Sequence, residues 1–374
     1  MEVFEIMNNS LIKSQKHKFM IIRNYFIIKK LKRLLNENPI KFDNLDKKNI
    51  DEVINNKIYK VGGKPLNGFN HTLSANNIVN TIIDFYYSIS SEMGDTINKL
   101  YNTHSSKIFI EPPKDISGNS INTNSIASGG VTYNPKNPIK KRMPDGTEKD
   151  IVCDIELCQN YTTYYTIAHE FMHLMERAGE NEDEKLAEVN TRFIEFLLGE
   201  YLVDKGIITP QDMDDHNWVN NNQKQRAYQL KDIDIIVEMM KNHSLTQRNL
   251  MKKLKRSPEQ LNGNLRGIIA SIEGEEVNRP KNNLRFINGM VGANKLIEIY
   301  NKDKENFKKV YGRIMCRKYQ GQFDFEHFFT DIETKISIER KKSKVKANDI
   351  SKQNHTQSIE SDKVKLISDE DLEL

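Results

Sequence analysis

The chain has 374 residues, 37% hydrophobic and 29% charged, enough for one sizeable core and a smaller helical region. A formal net charge of +4 gives no large excess of either sign and argues against nucleic acid as the partner. Three cysteines, Cys153, Cys158 and Cys316, are too sparse and odd a set for a disulfide-stapled fold, so buried thiols in a reducing compartment are expected.

No basic start followed by an apolar run opens the chain, and no uncharged segment reaches the roughly 18 to 20 residues of a transmembrane helix. The expected location is cytoplasmic, or outside the cell by a route that uses no signal peptide. Residues 1–60 read as helices, with Phe19 to Ile22, Tyr25 to Ile28, Leu31, Leu34 and Leu35 at helical spacing among Lys and Arg. A basic amphipathic helix on an anionic membrane is one reading. The apolar side looks too wide for that, and a core helix is the expectation. Lys60 to Gly68 is a loop, without the glycine spacing or the Ser/Thr of a phosphate-binding loop.

Helical spacing returns between Ser74 and Tyr101. Lys107–Glu111 reads as a strand stopped by Pro112 and Pro113, and a Gly/Ser/Asn-rich stretch from Ser117 leads to Gly130, Val131, Thr132 and Tyr133. These four residues are expected on a strand beside the following helix, either pairing with an extended substrate or as an ordinary strand. A turn at Pro144-Asp145-Gly146 precedes another candidate strand, Asp150–Ile155.

Tyr161–Arg177 is helix-compatible, with Gly179 where a helix stop belongs. It carries Ala168-His169-Glu170-Phe171-Met172-His173. Histidines four apart lie one turn over on the same face, so both imidazoles reach one metal ion, and Glu170 points toward where a water would sit. Zn²⁺ is the expected cofactor, with three protein ligands and one open position. A second helix, expected from Asp183 to Asp204, supplies the third ligand. Glu188 is the choice, Glu195 the runner-up or the acceptor that holds a histidine ring, and Glu184 a solvated carboxylate at the helix start.

Beyond these helices, Thr209-Pro210-Gln211-Asp212 is a helix-start signal, and residues 220–335 are almost all helix by pattern. An oxyanion donor is expected among His216, His243, Tyr300, Tyr311, Tyr319 and His327, with no basis for choosing one. From Arg340 a polar, aromatic-free tail runs to the acidic Ser368–Leu374 end and is expected to be disordered.

The histidine pattern is that of zincins. Ala187-Glu188-Val189 through Glu195 to Leu198 resembles the ligand helix of oligopeptidase-type gluzincins, in which a zinc glutamate is followed seven residues on by another glutamate. The spacing between the two motifs is shorter here. Ser128 to Pro135, Ile167 to His173 and Glu188 to Thr191 together resemble the NleD-like bacterial effector metalloproteases, over roughly residues 105–200. That resemblance implies a small zinc protease delivered to a host cytosol and a host protein as substrate. The tail resembles the C-terminal export signals of type IV secreted effectors, which implies a secretion machinery as partner.

The expected fold is α+β, mostly helical, with a small β-sheet beside the active-site helix. Its regions are an N-terminal helical part (1–104), a zinc-protease core (105–205), a C-terminal helical part walling the cleft (206–339) and the tail (340–374). The expected activity is zinc-dependent endopeptidase hydrolysis, with His169, His173 and Glu188 on the metal and Glu170 as general base and then acid. A housekeeping or phage-borne peptidase, a zinc hydrolase of a small or cell-wall substrate, and a non-catalytic zinc-binding module stay open.

Overall fold

The computed structural model describes residues 2–56, 58, 75–103, 108–111, 129–133, 139–142, 148–151, 153–158, 164–177, 185–186, 188–217, 221–274, 279–316 and 325–343. The loop at 60–68, the Pro144–Gly146 turn, Glu184, Tyr319 and the tail beyond 343 lie outside them.

In chain order the helices are α1 (Glu2–Glu37), α2 (Asn44–Asn55), α3 (Ala75–Ile89), α4 (Ser91–Thr103), α5 (Tyr164–Arg177), α6 (Val189–Asp204), α7 (Pro210–Asn217), α8 (Asn221–Lys241), α9 (Gln247–Leu254), α10 (Pro258–Glu273), α11 (Pro280–Lys302), α12 (Lys304–Cys316) and α13 (325–343). Several starts are written locally. Asp43 and Ser257 each open a helix with a reciprocal capping box, Ser257 followed by Pro258. Thr209 and Asp212 exchange bonds in the same way at the start of α7, where Asp212 N–H donates to Thr209 Oγ1 at 3.2 Å and Thr209 N–H donates to Asp212 Oδ2 at 2.9 Å.

The α+β expectation is corrected: the protein is mostly helical, and helix packs on helix. The buried apolar side chains of its three clusters come from helices or from the short turns beside them. The strand segments are only four to six residues long, and Gly129–Tyr133 lies beside Tyr164–Arg177. Their described backbone consists of β1 (Ile108–Glu111), β2 (Gly129–Tyr133), β3 (Ile139–Arg142), β4 (Glu148–Ile151) and β5 (Cys153–Cys158). β5 lies between β1, which is parallel to it, and β2, which is antiparallel with Val131 opposite Ile155; β3 pairs with β4.

The largest cluster gathers α3, α4, α5, α6, α11, α12 and α13, and it contains an aromatic block. Phe193 of α6 meets Tyr300, Phe307 and Tyr311 at centroid distances of 6.0, 5.2 and 5.2 Å. Truncating a ring buried like Phe193 costs roughly 3–5 kcal/mol. A second cluster joins α1, α8, α9 and α10, and a third joins α2, α8 and α11.

For α1 the core-helix expectation is half right. Asn24, Ile28, Leu31, Leu34 and Leu35 are buried, while Phe19, Ile21, Ile22, Tyr25 and Phe26 are exposed. Among the described residues, no helix is long and apolar enough to cross a membrane.

Candidate metal site

Helix α5 runs through the largest cluster, and almost all of its side chains are out of solvent. Tyr165, Ile167, Ala168, Phe171, Met172 and Leu174 are buried, and the Tyr86 hydroxyl of α3 donates to the Ala168 carbonyl at 2.8 Å. A helix packed on every side holds its polar side chains in fixed directions. Glu170 and His173 are buried there, and His169 keeps 12% of its side chain exposed, which makes it the solvent-facing edge of the group.

Glu188 sits one residue before α6, at the N-cap position, with Val189 N–H donating to the Leu186 carbonyl at 2.9 Å. The second helix thus begins at Val189, later than the expected Asp183, and Glu188 belongs to the turn that brings the chain back onto α5. Its carboxylate lies between the two imidazoles. Glu188 Oε2 is 3.6 Å from His169 Nε2, and Oε1 is 3.7 Å from His173 Nε2. The three ligand atoms, one from each residue, lie within 4.8 Å of one another.

These spacings test whether a metal fits. Four ligands at about 2.1 Å around a tetrahedral centre stand roughly 3.4 Å apart. Hydrogen-bonded partners would be closer, at about 2.7–3.2 Å. Buried Glu188 Oε2 accepts no hydrogen bond among the described residues, and the Arg192 guanidinium stands off from it at 3.9 Å, so the oxygen is left able to take a closer cation. The donor set of two imidazoles and one carboxylate suits zinc, so the residues fit the ion.

The other ring nitrogens face carboxylates. His169 Nδ1 donates to Glu195 Oε1 at 2.6 Å, which leaves the Nε2 lone pair directed at the cluster. His173 Nδ1 is 3.6 Å from Glu176 Oε2. Glu176 is held in turn by Asn190 Nδ2, which donates to its Oε1 at 2.7 Å, and Asn190 Oδ1 accepts from the Tyr311 hydroxyl at 3.0 Å. Arg192 of α6 donates to both oxygens of Glu195, at 3.2 and 3.3 Å, lies 3.9 Å from Glu188 and covers the Phe286 ring at 5.2 Å.

Charge at the site follows from burial and neighbours. Burial drives the His169 imidazole well below its usual range, and His173 adds to that. Burial also pushes His173 down, but the Glu176 contact and the charges of Glu188 and Glu170 outweigh it and hold the ring above its usual range. Burial pushes the Glu188 carboxyl up, and the two histidines, Arg192 and Arg285 overcome that and keep it below the ordinary glutamate value. Metal ligation requires neutral imidazoles and an ionised carboxylate: His169 and Glu188 are held in those forms, and His173, held toward its protonated form by the carboxylates around it, gives up its proton as a metal binds.

The structure thus brings His169, Glu170, His173, Glu188 and Glu195 together. Gly130, Val131, Thr132 and Tyr133 lie on β2, one of the two edge members of its three-strand order, whose backbone runs beside α5. Of the expected oxyanion donors, Tyr311 donates to Asn190 and Tyr300 to Glu200 at 2.6 Å. His243 is exposed beside Lys32 and Lys241, and His327 is exposed on α13. The side chain of His216 lies outside the described residues, as does Tyr319. Glu176, Asn190, Arg192 and Arg285 were not singled out from the sequence. Glu176 had a signal: it lies three residues after His173 and so shares its helical face.

No family model, curated protein or solved structure matches the chain.

Proposed function

We propose that the protein is a zinc-dependent hydrolase that cleaves a peptide bond in a protein substrate. The observation that carries this reading is the pairing of each Glu188 oxygen with one histidine Nε2, at distances too long for hydrogen bonds and suited to two ligands sharing one ion. A zinc ion held by His169, His173 and Glu188 would supply Lewis acidity and lower the pKa of a bound water. Among the described residues the cluster numbers three ligands, and the nearby carboxylates Glu176 and Glu195 address the far nitrogens of the histidines. An open position favours catalysis over a structural zinc site.

Glu170 follows the first ligand histidine and is buried with the cluster. In this reading it accepts a proton from the attacking water and donates it to the leaving amine. Glu195 keeps the His169 ring oriented through its bond to Nδ1, and Glu176 faces His173 Nδ1 as a charge 3.6 Å away. β2, at the edge of its strand order and beside α5, offers backbone N–H and C=O groups along which an extended peptide can lie. The resemblance of the 128–135, 167–173 and 188–191 segments to effector metalloproteases supports a host protein as the substrate.

The test is Glu170→Gln, with zinc content and cleavage measured together. Zinc should stay bound and cleavage should be lost, whereas His169→Ala or His173→Ala should lose both. New termini in a proteome treated with active protein would name the substrate, and toxicity in a eukaryotic cell that depends on Glu170 would support a host-directed role. Cleavage that persists in Glu170→Gln would remove Glu170 from the mechanism.

A further inference from the structure

Helix α1 carries a second feature, unrelated to the metal site. Its run from Ile6 to Asn36 holds eight Lys or Arg residues and no Asp or Glu. At 100° per residue, the buried positions Asn24, Ile28, Leu31, Leu34 and Leu35 fall on one face, which packs on α10. The opposite face presents Phe19, Ile22, Tyr25 and Phe26, which are 61%, 59%, 64% and 62% exposed. Four large apolar side chains clustered on one exposed helical face are a liability in water unless something covers them.

Cations share that face. Lys18, Lys29 and Lys32 are exposed and enter no ion pair among the described residues. Lys30 pairs with Glu273 at 2.8 Å, and Arg33 with Glu37 at 3.7 Å. Helix α9, which packs beside α1, adds exposed Arg248, Lys252 and Lys253. Beside Lys32 opens a cavity of about 610 Å³ that Lys41 and Lys241 also line.

We propose that this face of α1 docks on an anionic membrane surface, with Phe19, Ile22, Tyr25 and Phe26 entering the headgroup region and the lysines facing lipid phosphates and carboxylates. Charge complementarity selects this occupant. A second copy of the chain would set one basic face against another, while an anionic bilayer accepts apolar and cationic groups side by side. Tyr and Phe suit the interface, where an apolar ring meets a wet, polar edge. The helix lies on the surface and does not span it, since its opposite face is already packed on the protein.

The experiment is sedimentation of the full-length chain with vesicles of phosphatidylcholine alone or mixed with phosphatidylserine. It involves no turnover, so its result is separate from that of the Glu170 test. Binding is expected to the mixed vesicles, about tenfold or more above the neutral ones, and should weaken as salt is raised. Lys29→Glu with Lys32→Glu should lower it by at least about twentyfold, since each basic residue near such a surface contributes roughly fivefold. Ile22→Ser with Phe26→Ser should abolish it while the thermal melt is unchanged, because both side chains are exposed. Equal binding to both vesicle types, or undiminished binding by either variant, would overturn the proposal. So would loss of vesicle binding accompanied by self-association through the same residues, seen by light scattering.

Discussion

Glu188 rests against Gly289 of α11 so closely that a Cβ at position 289 would lie 2.4 Å from Glu188 Cβ and 2.9 Å from its carbonyl oxygen. The carboxylate between the two histidines is therefore braced from behind by a helix about a hundred residues later in the chain. Gly289→Ala must displace Glu188 or α11, at about 1–3 kcal/mol of stability. Chemical denaturation should show that loss, and a zinc titration should show weaker binding. Gly263 of α10 is the control, because nothing lies within 4 Å of a Cβ there. Gly263→Ala should be neutral or stabilising by up to about 1 kcal/mol, with zinc affinity unchanged. Equal effects from the two substitutions would show that Glu188 is not braced in this way.

Glu195 holds His169 through a 2.6 Å bond from Nδ1 and is itself held by Arg192. Glu195→Gln keeps the shape and removes the charge that fixes the tautomer and raises the basicity of the ring. Metal affinity should fall by roughly 10- to 100-fold while the helical circular dichroism stays the same. A competition titration against a chelator measures it, and an unchanged affinity would mean that Glu195 does not orient the ligand.

The histidine pair was legible because its information is local: one helix, one face, spacing four. Glu195 was also legible, as a carboxylate seven residues after Glu188. Residues supplied by distant elements were not, because what places Gly289 or Tyr311 at the site is the packing of α11 and α12 on α6, which no local pattern encodes. The fold class was misread for a related reason. Alternation in Lys107–Glu111 and Asp150–Ile155 speaks for short strands only, and among the described residues the helices build the apolar clusters that set the class. In α1 the wide apolar side concealed two faces with different neighbours, one on α10 and one toward solvent.

Asp43 caps α2 and pairs with Lys185, three residues before Glu188, so it ties the approach to the metal site to a second helix. Burial pushes its carboxyl up, but the Lys185 contact and the Asp46 N–H outweigh that and hold it below the ordinary aspartate value. A lowered folded pKa stabilises the ionised state. Its contribution is therefore present in full above the unfolded value of about 3.9 and is lost as pH falls through the lower folded one. Asp43→Ala should cost about 1 kcal/mol at neutral pH. The gap between variant and parent in urea denaturation should close on acidification. A gap that stayed constant down to the acid limit would show that the capping carboxylate is not the source.

Tyr311 reaches the ligand His173 through two intermediaries. Its ring is fully buried and stacked on Phe307 at 5.3 Å, and its hydroxyl donates to Asn190, whose amide donates to Glu176 beside His173 Nδ1. Tyr311→Phe keeps the stacked ring and removes only this O–H, so a buried acceptor on Asn190 loses its donor. The expected cost is about 1–2 kcal/mol. If the chain of bonds acts as a unit, Asn190→Ala already removes both of its links, and adding Tyr311→Phe to that variant should cost distinctly less than it does alone. Coupling between residues in one such network is about 0.5–3 kcal/mol. The same cycle read by zinc titration should show a few-fold loss of affinity in either single variant and little further loss in the double. Strictly additive costs in both measurements would mean that Tyr311 stabilises α12 alone and has no hold on the orientation of His173.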